Sequence, residues 1–238
     1  MKINATYKMY TDTKANKDPD TYSDTLHSYH HRLWSKKLPN GRYFKLEKSA
    51  SPPHTLCHSS IIGDFRLSSD SIIHTYSRWK RMINIIKDID DNEIREFYDL
   101  ASTIGGYVVF PADIIDRKPT INGIRGMHPL INDRFDLTLE CIRLWYLGKG
   151  NPLSEHLNRY SNFFNLFESF KGYVDFFLLN DLVDSRYENI NFWLPFEGFG
   201  HRKPIPKDIL EYKYYMKNTI CFTRLRNKRI LEWDNSNS

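Results

Sequence analysis

A helix that carries ionisable groups inside its apolar surface limits how a chain can fold, because those groups must be paired or must face an opening to water. Residues 132–146, NDRFDLTLECIRLWY, are such a segment. Asn132 and Asp133 predict its N-terminal cap. At 3.6 residues per turn Phe135, Leu139, Ile142 and Tyr146 share one apolar face, and Leu137, Cys141 and Leu144 extend it. Asp136, Glu140 and Arg143 fall in a line between those positions. Just upstream Arg125 sits between Gly123 and Gly126, where a fixed guanidinium fork suits a carboxylate and a phosphate equally.

Two readings follow, and the sequence leaves both open. In the first, Asn122, Arg125, Arg134 and Arg143 hold a phosphate-bearing ligand, a nucleotide or nucleic acid, in a cleft, and Asp136 or Glu140 handles a proton. In the second, Glu140–Arg143 pairing and an Arg125–carboxylate bridge form a structural ion-pair network, and the protein is a non-catalytic module that docks a protein partner. Neither reading indicates a cofactor, and whether the chain is an enzyme stays open.

Composition narrows the class. The chain has 238 residues, enough for one substantial core without demanding a second domain, and 15 Phe, 15 Tyr and 5 Trp supply the apolar area for it. Lys and Arg outnumber Asp and Glu by 34 to 29, a net charge of +5 that mildly favours acidic partners. Cys57, Cys141 and Cys221 are odd in number and far apart, which fits a reduced compartment and a cytoplasmic protein better than a disulfide framework. The first residues, MKINATYKMYTDTKANKD, hold no apolar signal core, and no run of apolar residues is long enough to span a bilayer, so neither standard secretion nor membrane insertion is expected.

Other constellations are weaker guides. His27, His30 and His31 on a predicted helix, followed by His54, Cys57 and His58, offer nitrogen and sulfur donors; His30, His54, Cys57 and His58 would be the zinc-ligand set, against the simpler reading of unligated histidines. Basic and aromatic residues interleave in HSYHHRLWSKK and FTRLRNKR, and if those ends meet they would form a groove with Tyr29 or Trp34 as stacking platforms. Ser68, Asp70 and His74 in one loop are better read as capping and turn residues than as a catalytic triad. No P-loop or dinucleotide-binding glycine pattern is present.

The expected fold is α+β, a mainly helical single domain with a small antiparallel sheet. Residues 1–20 read as a flexible arm, 21–233 as the globular domain and 234–238 as a frayed tail. Strands are expected near 43–46, 107–110, 119–121 and 191–195. The Asp90-x-x-Glu93 box starts a helix through Ala101, Asn151-Pro152 opens one carrying Leu153 to Phe167, YVDFFLLNDLVD is a central helix, and Pro206 opens the last.

The blocks LWSKKLPNG, LSSDSI, TIGGYVVFP, TINGIRG, DRFDLTLECIR and FKGYVDFFLLNDLVD resemble the recurring segments of a bacterial domain-of-unknown-function family, over about Asp18 to Ile230. The resemblance implies one domain and a bacterial, intracellular origin; it carries no activity, cofactor or site residue onto this chain.

Overall fold

Capping side chains set where several helices begin. Asp18 accepts from the Asp20 N–H at the start of α1 (Pro19–Tyr22), and Ser23 accepts from Leu26 N–H to open α2 (Asp24–Trp34). Then β1 (Lys36–Lys37) pairs antiparallel with β2 (Tyr43–Phe44), while β3 (Glu47–Lys48), β4 (Leu56–Ser60) and β5 (Gly63–Ser71) start a second antiparallel sheet. After α3 (Lys80–Ile86), Asp90 caps α4 (Asp91–Ala101) by accepting from Asn92 and Glu93 N–H. β6 (Tyr107–Pro111) completes the four-stranded sheet in the order β3-β4-β5-β6. The rest is helical: α5 (Ile121–Met127), α6 (Phe135–Tyr146), α7 (Ser154–Arg159), α8 (Ser161–Asn165), α9 (Phe170–Phe176) and α10 (Ile209–Ser236), the last capped by Asp208 on Glu211 N–H. This computed structural model describes residues 1–15, 17–49, 56–201 and 203–237. With 45% helix and two small antiparallel sheets, it is a mainly helical α+β single domain, and one apolar cluster runs through it from Ile3 to Ile230.

Strand alternation positions the charged junction. On β5, Phe65, Leu67 and Ser69 point into the core, which leaves Arg66, Ser68 and Asp70 on the opposite face. There α5 lies against the strand, with Asn122 bonded to Ser68 and Arg125 to Asp70. α10 packs against α4 and the Ile104–Gly106 turn, where it comes so close that a Cβ on Gly105 would lie 2.6 Å from Asn227 Oδ1. Gly105 N–H uses this proximity, donating to the same oxygen at 2.8 Å.

Several local expectations change. Residues 119–121 form no strand: the Thr120 hydroxyl accepts from Gly123 N–H and starts α5, so the Asn122-Gly123 pair becomes the first turn of a helix instead of a hairpin. Residues 191–195 form no strand either, since only Ile190 makes an isolated bridge, to Val183, and Asn191 bonds to Leu182 and Val183 carbonyls. The helix expected from Leu153 to Phe167 breaks at Tyr160 into α7 and α8. The central helix ends at Phe176, followed by a 3-10 turn over Asn180–Leu182. Asn132 and Asp133 do not cap α6; both adopt left-handed φ, 46° and 62°, and Arg134 holds the cap position. The ends are anchored too. Ile3 and Met9 are buried, Met9 N–H donates to Ser102 C=O, and Ile3 N–H donates to Asp234, a buried carboxylate inside the stretch expected to fray.

Candidate functional site

The charged junction is built from three elements: the β5 face that carries Asp70, the turn before α6 that carries Asp133, and the α5 face that carries Arg125. Arg125 is fully buried. One terminal nitrogen donates to the Asp70 carboxylate and, at 3.1 Å, to Ser71 C=O; the other donates to Asp133 C=O at 3.1 Å. The Asp133 carboxylate lies 3.7 Å away, and the guanidinium stands 5.7 Å from the Phe135 ring centroid. Burial opposes the Arg125 charge, but Asp70 and Asp133 more than offset this and hold it charged. Burial pushes the Asp70 carboxyl up to about 6 against the pull of Arg125. His74 completes the cluster, with Nε2 3.5 Å from Asp133 and Nδ1 accepting from Tyr76 N–H; burial lowers its pKa. Asn122 spends its amide on Ser68 and the Ser69 carbonyl, while its buried Oδ1 has no partner among the described residues.

The first turn of α6 is sealed more tightly. Arg134 and Asp136 form a two-pronged pair, with Nε at 3.0 Å from Oδ1 and Nη2 on Oδ2. The remaining Arg134 donors go to the carbonyls of Pro204, at 3.0 Å, and Leu194, at 3.4 Å. Asp136 accepts again from Trp193 N–H at 2.9 Å. Both residues are at most 1% exposed. One turn on, Glu140 and Arg143 pair at 2.7 and 2.8 Å within the helix. An anion approaching this stripe would have to displace a carboxylate from each arginine. Of five surface cavities of 460 to 710 Å³ among the described residues, none is lined by Asn122, Arg125, Arg134, Asp136, Glu140 or Arg143.

The histidines are dispersed into the fold. His30 Nε2 lies 2.9 Å from Ser69 Oγ and its Nδ1 accepts from Trp34, and burial pushes its pKa down to about 3, so the ring is neutral. His58 stacks on Phe44, with Nε2 2.8 Å from Ser60 Oγ and Nδ1 against the Lys45 backbone. Cys57 is half-buried on β4, and His54 lies outside the described residues. Among the described residues no group of three or more His, Cys, Asp or Glu could hold a metal. Ser68, Asp70 and His74 form no relay, since Asp70 serves Arg125 and His74 faces Asp133.

The arginines of the two basic segments are each taken up by groups elsewhere in the chain. Arg32 pairs with Asp234, Arg229 with Asp181, and Arg224 with Glu96. Lys36 Nζ donates to Phe176 C=O at 2.6 Å inside a cage of Phe176, Trp233 and Trp34 rings, 4.6 to 5.1 Å away. Among the described residues no carboxylate is bonded to the buried Arg226; its donors take the carbonyls of Gly105, Tyr107, Phe177 and Leu178 at 2.7 to 3.2 Å, and burial lowers its pKa to about 9. Tyr29 and Trp34 are buried, so neither offers a face to a base.

A groove between α4 and α10 is the feature that sequence reasoning passed over. One cavity of 670 Å³ lies between the N-terminal residues, α4 and α10, with Ala5, Leu100 and Leu231 on its floor. A second, of 540 Å³, continues along the seam over Met216, Ile220 and Leu225. The two share Glu96 and Arg224. The signal was present in the sequence: at 100° per residue Lys213, Lys217, Ile220, Arg224, Lys228 and Leu231 fall within a sector of about 80°, a basic-and-apolar stripe separate from the buried face of Tyr212, Met216 and Thr219.

Residues 3–230 match the family model described as "Family of unknown function (DUF6994)". The match covers nearly the whole chain and begins inside the stretch expected to be a free arm, consistent with the docking of Ile3 and Met9. No curated protein and no solved structure matches the chain. No helix among the described residues is long and apolar enough to cross a membrane.

Proposed function

The chain belongs to this family of unknown function (DUF6994), and we propose that it works as a non-catalytic interaction module: a protein partner docks on the α4–α10 groove, and the arginine–carboxylate network is structural. One contrast carries the reading. Every terminal guanidinium nitrogen of Arg125 and Arg134 is already spent on a carboxylate or carbonyl, whereas the groove combines an apolar floor with exposed Arg95, Lys217 and Lys228. A small-molecule ligand at the junction would first have to break buried ion pairs, and removing one partner from such a pair costs about 3–5 kcal/mol.

A thermal-shift panel of nucleoside mono-, di- and triphosphates and short oligonucleotides, run on wild type and on Arg125→Ala, tests the choice. We expect no saturable shift with any of them. A saturable shift that Arg125→Ala abolishes would return the phosphate-binding cleft to first place.

A further inference from the structure

Resting on the docking reading above, we infer that the occupant of the α4–α10 groove is an acidic amphipathic helix of a partner protein. Charge complementarity supports it first. Three carboxylates on the rim are each neutralised within the chain, Asp99 by Lys8, Glu96 by Arg224 and Glu93 by Lys213. Among the described residues Arg95, Lys217 and Lys228 form no ion pair with a rim carboxylate; Arg95 acts on Asp99 only through space, and Lys228 reaches only Glu232, one turn along its own helix, at 3.8 Å. The rim therefore presents a surplus of positive charge, in a chain that is itself +5.

Length and floor support it next. From Lys213 to Leu231 the seam follows α10 for about 27 Å at 1.5 Å per residue, the length of a five-turn helix. The apolar lining changes from Ala5, Leu100 and Leu231 at one end to Met216 and Ile220, with the exposed Leu225 on the edge, at the other. A compact small molecule would fill one of the two compartments. A helix with apolar residues at i, i+3, i+4 and i+7 would fill both and place carboxylates beside the unneutralised cations.

Two other occupants fit less well. A second copy of the chain, docked by the same face, would bring Arg95, Lys217 and Lys228 against their own kind. A nucleic acid would leave the apolar floor uncovered, and among the described residues no aromatic ring lines either compartment to stack a base.

The test uses the full chain and three fluorescein-labelled designed peptides of about 18 residues: a Leu/Glu amphipathic helix, its Leu/Lys counterpart, and a Leu/Glu scramble without a helical stripe. Anisotropy at low and at physiological ionic strength should show saturable binding of the acidic helix alone, weakened by salt. The triple variant Arg95→Glu, Lys217→Glu, Lys228→Glu should weaken it by about tenfold or more, and circular dichroism should show that the variant is folded. Equal or better binding of the basic or scrambled peptide, lost in Leu231→Asp, would overturn the acidic-helix inference and leave the docking reading in place. A concentration-dependent dimer in sedimentation that Leu225→Glu dissociates would assign the groove to a second copy and overturn the inference as well. If no peptide binds at low ionic strength and no dimer forms, both the inference and the docking reading fall.

Discussion

The junction of β5, α5 and α6 and the seam of α4 with α10 both gather arginines beside carboxylates, and they use them in opposite ways. At the junction the guanidinium groups of Arg125 and Arg134 are 0–1% exposed and each is matched by an acid and by carbonyls. At the seam the cations stand in water above apolar floor, and Arg95, Lys217 and Lys228 form no ion pair with a rim acid among the described residues. Burial accounts for the difference. A charge removed from water is tolerable when most of its donors are met inside the protein, so a deeply buried arginine arrives with its partners; of the donors on Arg125 and Arg134 just the Arg125 Nε has none among the described residues. An exposed cation is under no such requirement, and beside uncovered apolar surface it keeps its capacity for an outside partner.

The strongest way to break this contrast is to unpair the sealed side. Asp136→Ala should cost about 3–5 kcal/mol in denaturant unfolding, because it strands the Arg134 charge, while Arg134→Met combined with Asp136→Leu should recover most of that loss. A cost below about 1 kcal/mol for Asp136→Ala would mean that the pair is not what fastens residues 193–204 to α6. Arg226→Lys comes next, at about 2–3 kcal/mol, since a compact ammonium cannot reproduce a fork spread over four carbonyls. Loss of the contact should loosen α10 from the end of α9 and from the Gly105 turn, and amide exchange there would report it.

Local spacing in the sequence was enough to place the apolar face of α6, the Asp90 cap of α4 and the mainly helical character, because each depends on residues within a turn or two of one another. It also put Glu140 beside Arg143. It could not show whether the stripe opens to water, because the groups that close it come from far along the chain: Asp70 lies 55 residues before Arg125, and Trp193, Leu194 and Pro204 seal Arg134 and Asp136 from a stretch with no periodic pattern. Thr120 misled in the same way, since a Thr-Ile-Asn-Gly run reads as a hairpin until β5 offers Ser68 and Asp70 to the helix that forms instead. The groove had a local signal, the basic stripe of α10, but cations on a helix face are so commonly just solvated that only the apolar floor beneath them gave the stripe meaning.

Lys36 tests the rule from between the two extremes, as a half-buried cation held by rings and one carbonyl. Burial lowers its pKa from 10.5 to about 7, with Arg226 adding to the shift and Asp175 opposing it. A base whose folded-state pKa is depressed releases its proton on folding between those values, so the unfolded chain binds more protons there and stability rises with pH across that window. Below pH 7 both states are protonated and this group contributes no slope. A lowering from 10.5 to about 7 corresponds to about 5 kcal/mol, and three rings that favour the ammonium return about 0.5–1 each by drawing the folded-state pKa back up, which leaves a rise of about 2–3 kcal/mol. Lys36→Met should flatten the rise between pH 7 and 10, measured as the urea midpoint. An equally steep rise in that variant would place the titrating group elsewhere.

The smallest expected effect bears most directly on the comparison. Arg95→Glu, Lys217→Glu and Lys228→Glu each reverse an exposed charge that makes no buried contact, so each should change folding stability by no more than about 0.5 kcal/mol. Arg95→Glu has a further reason to be mild: Asp99 is already held by Lys8 and Tyr10, so a new acid on the same turn region repels a carboxylate whose charge is largely compensated. If these substitutions leave the urea midpoint in place while removing peptide binding, the seam's cations act on a partner and not on the fold. A loss of several kcal/mol from any one of them would show that cations at the seam are also structural, and the difference between the two regions would then be one of depth rather than of kind.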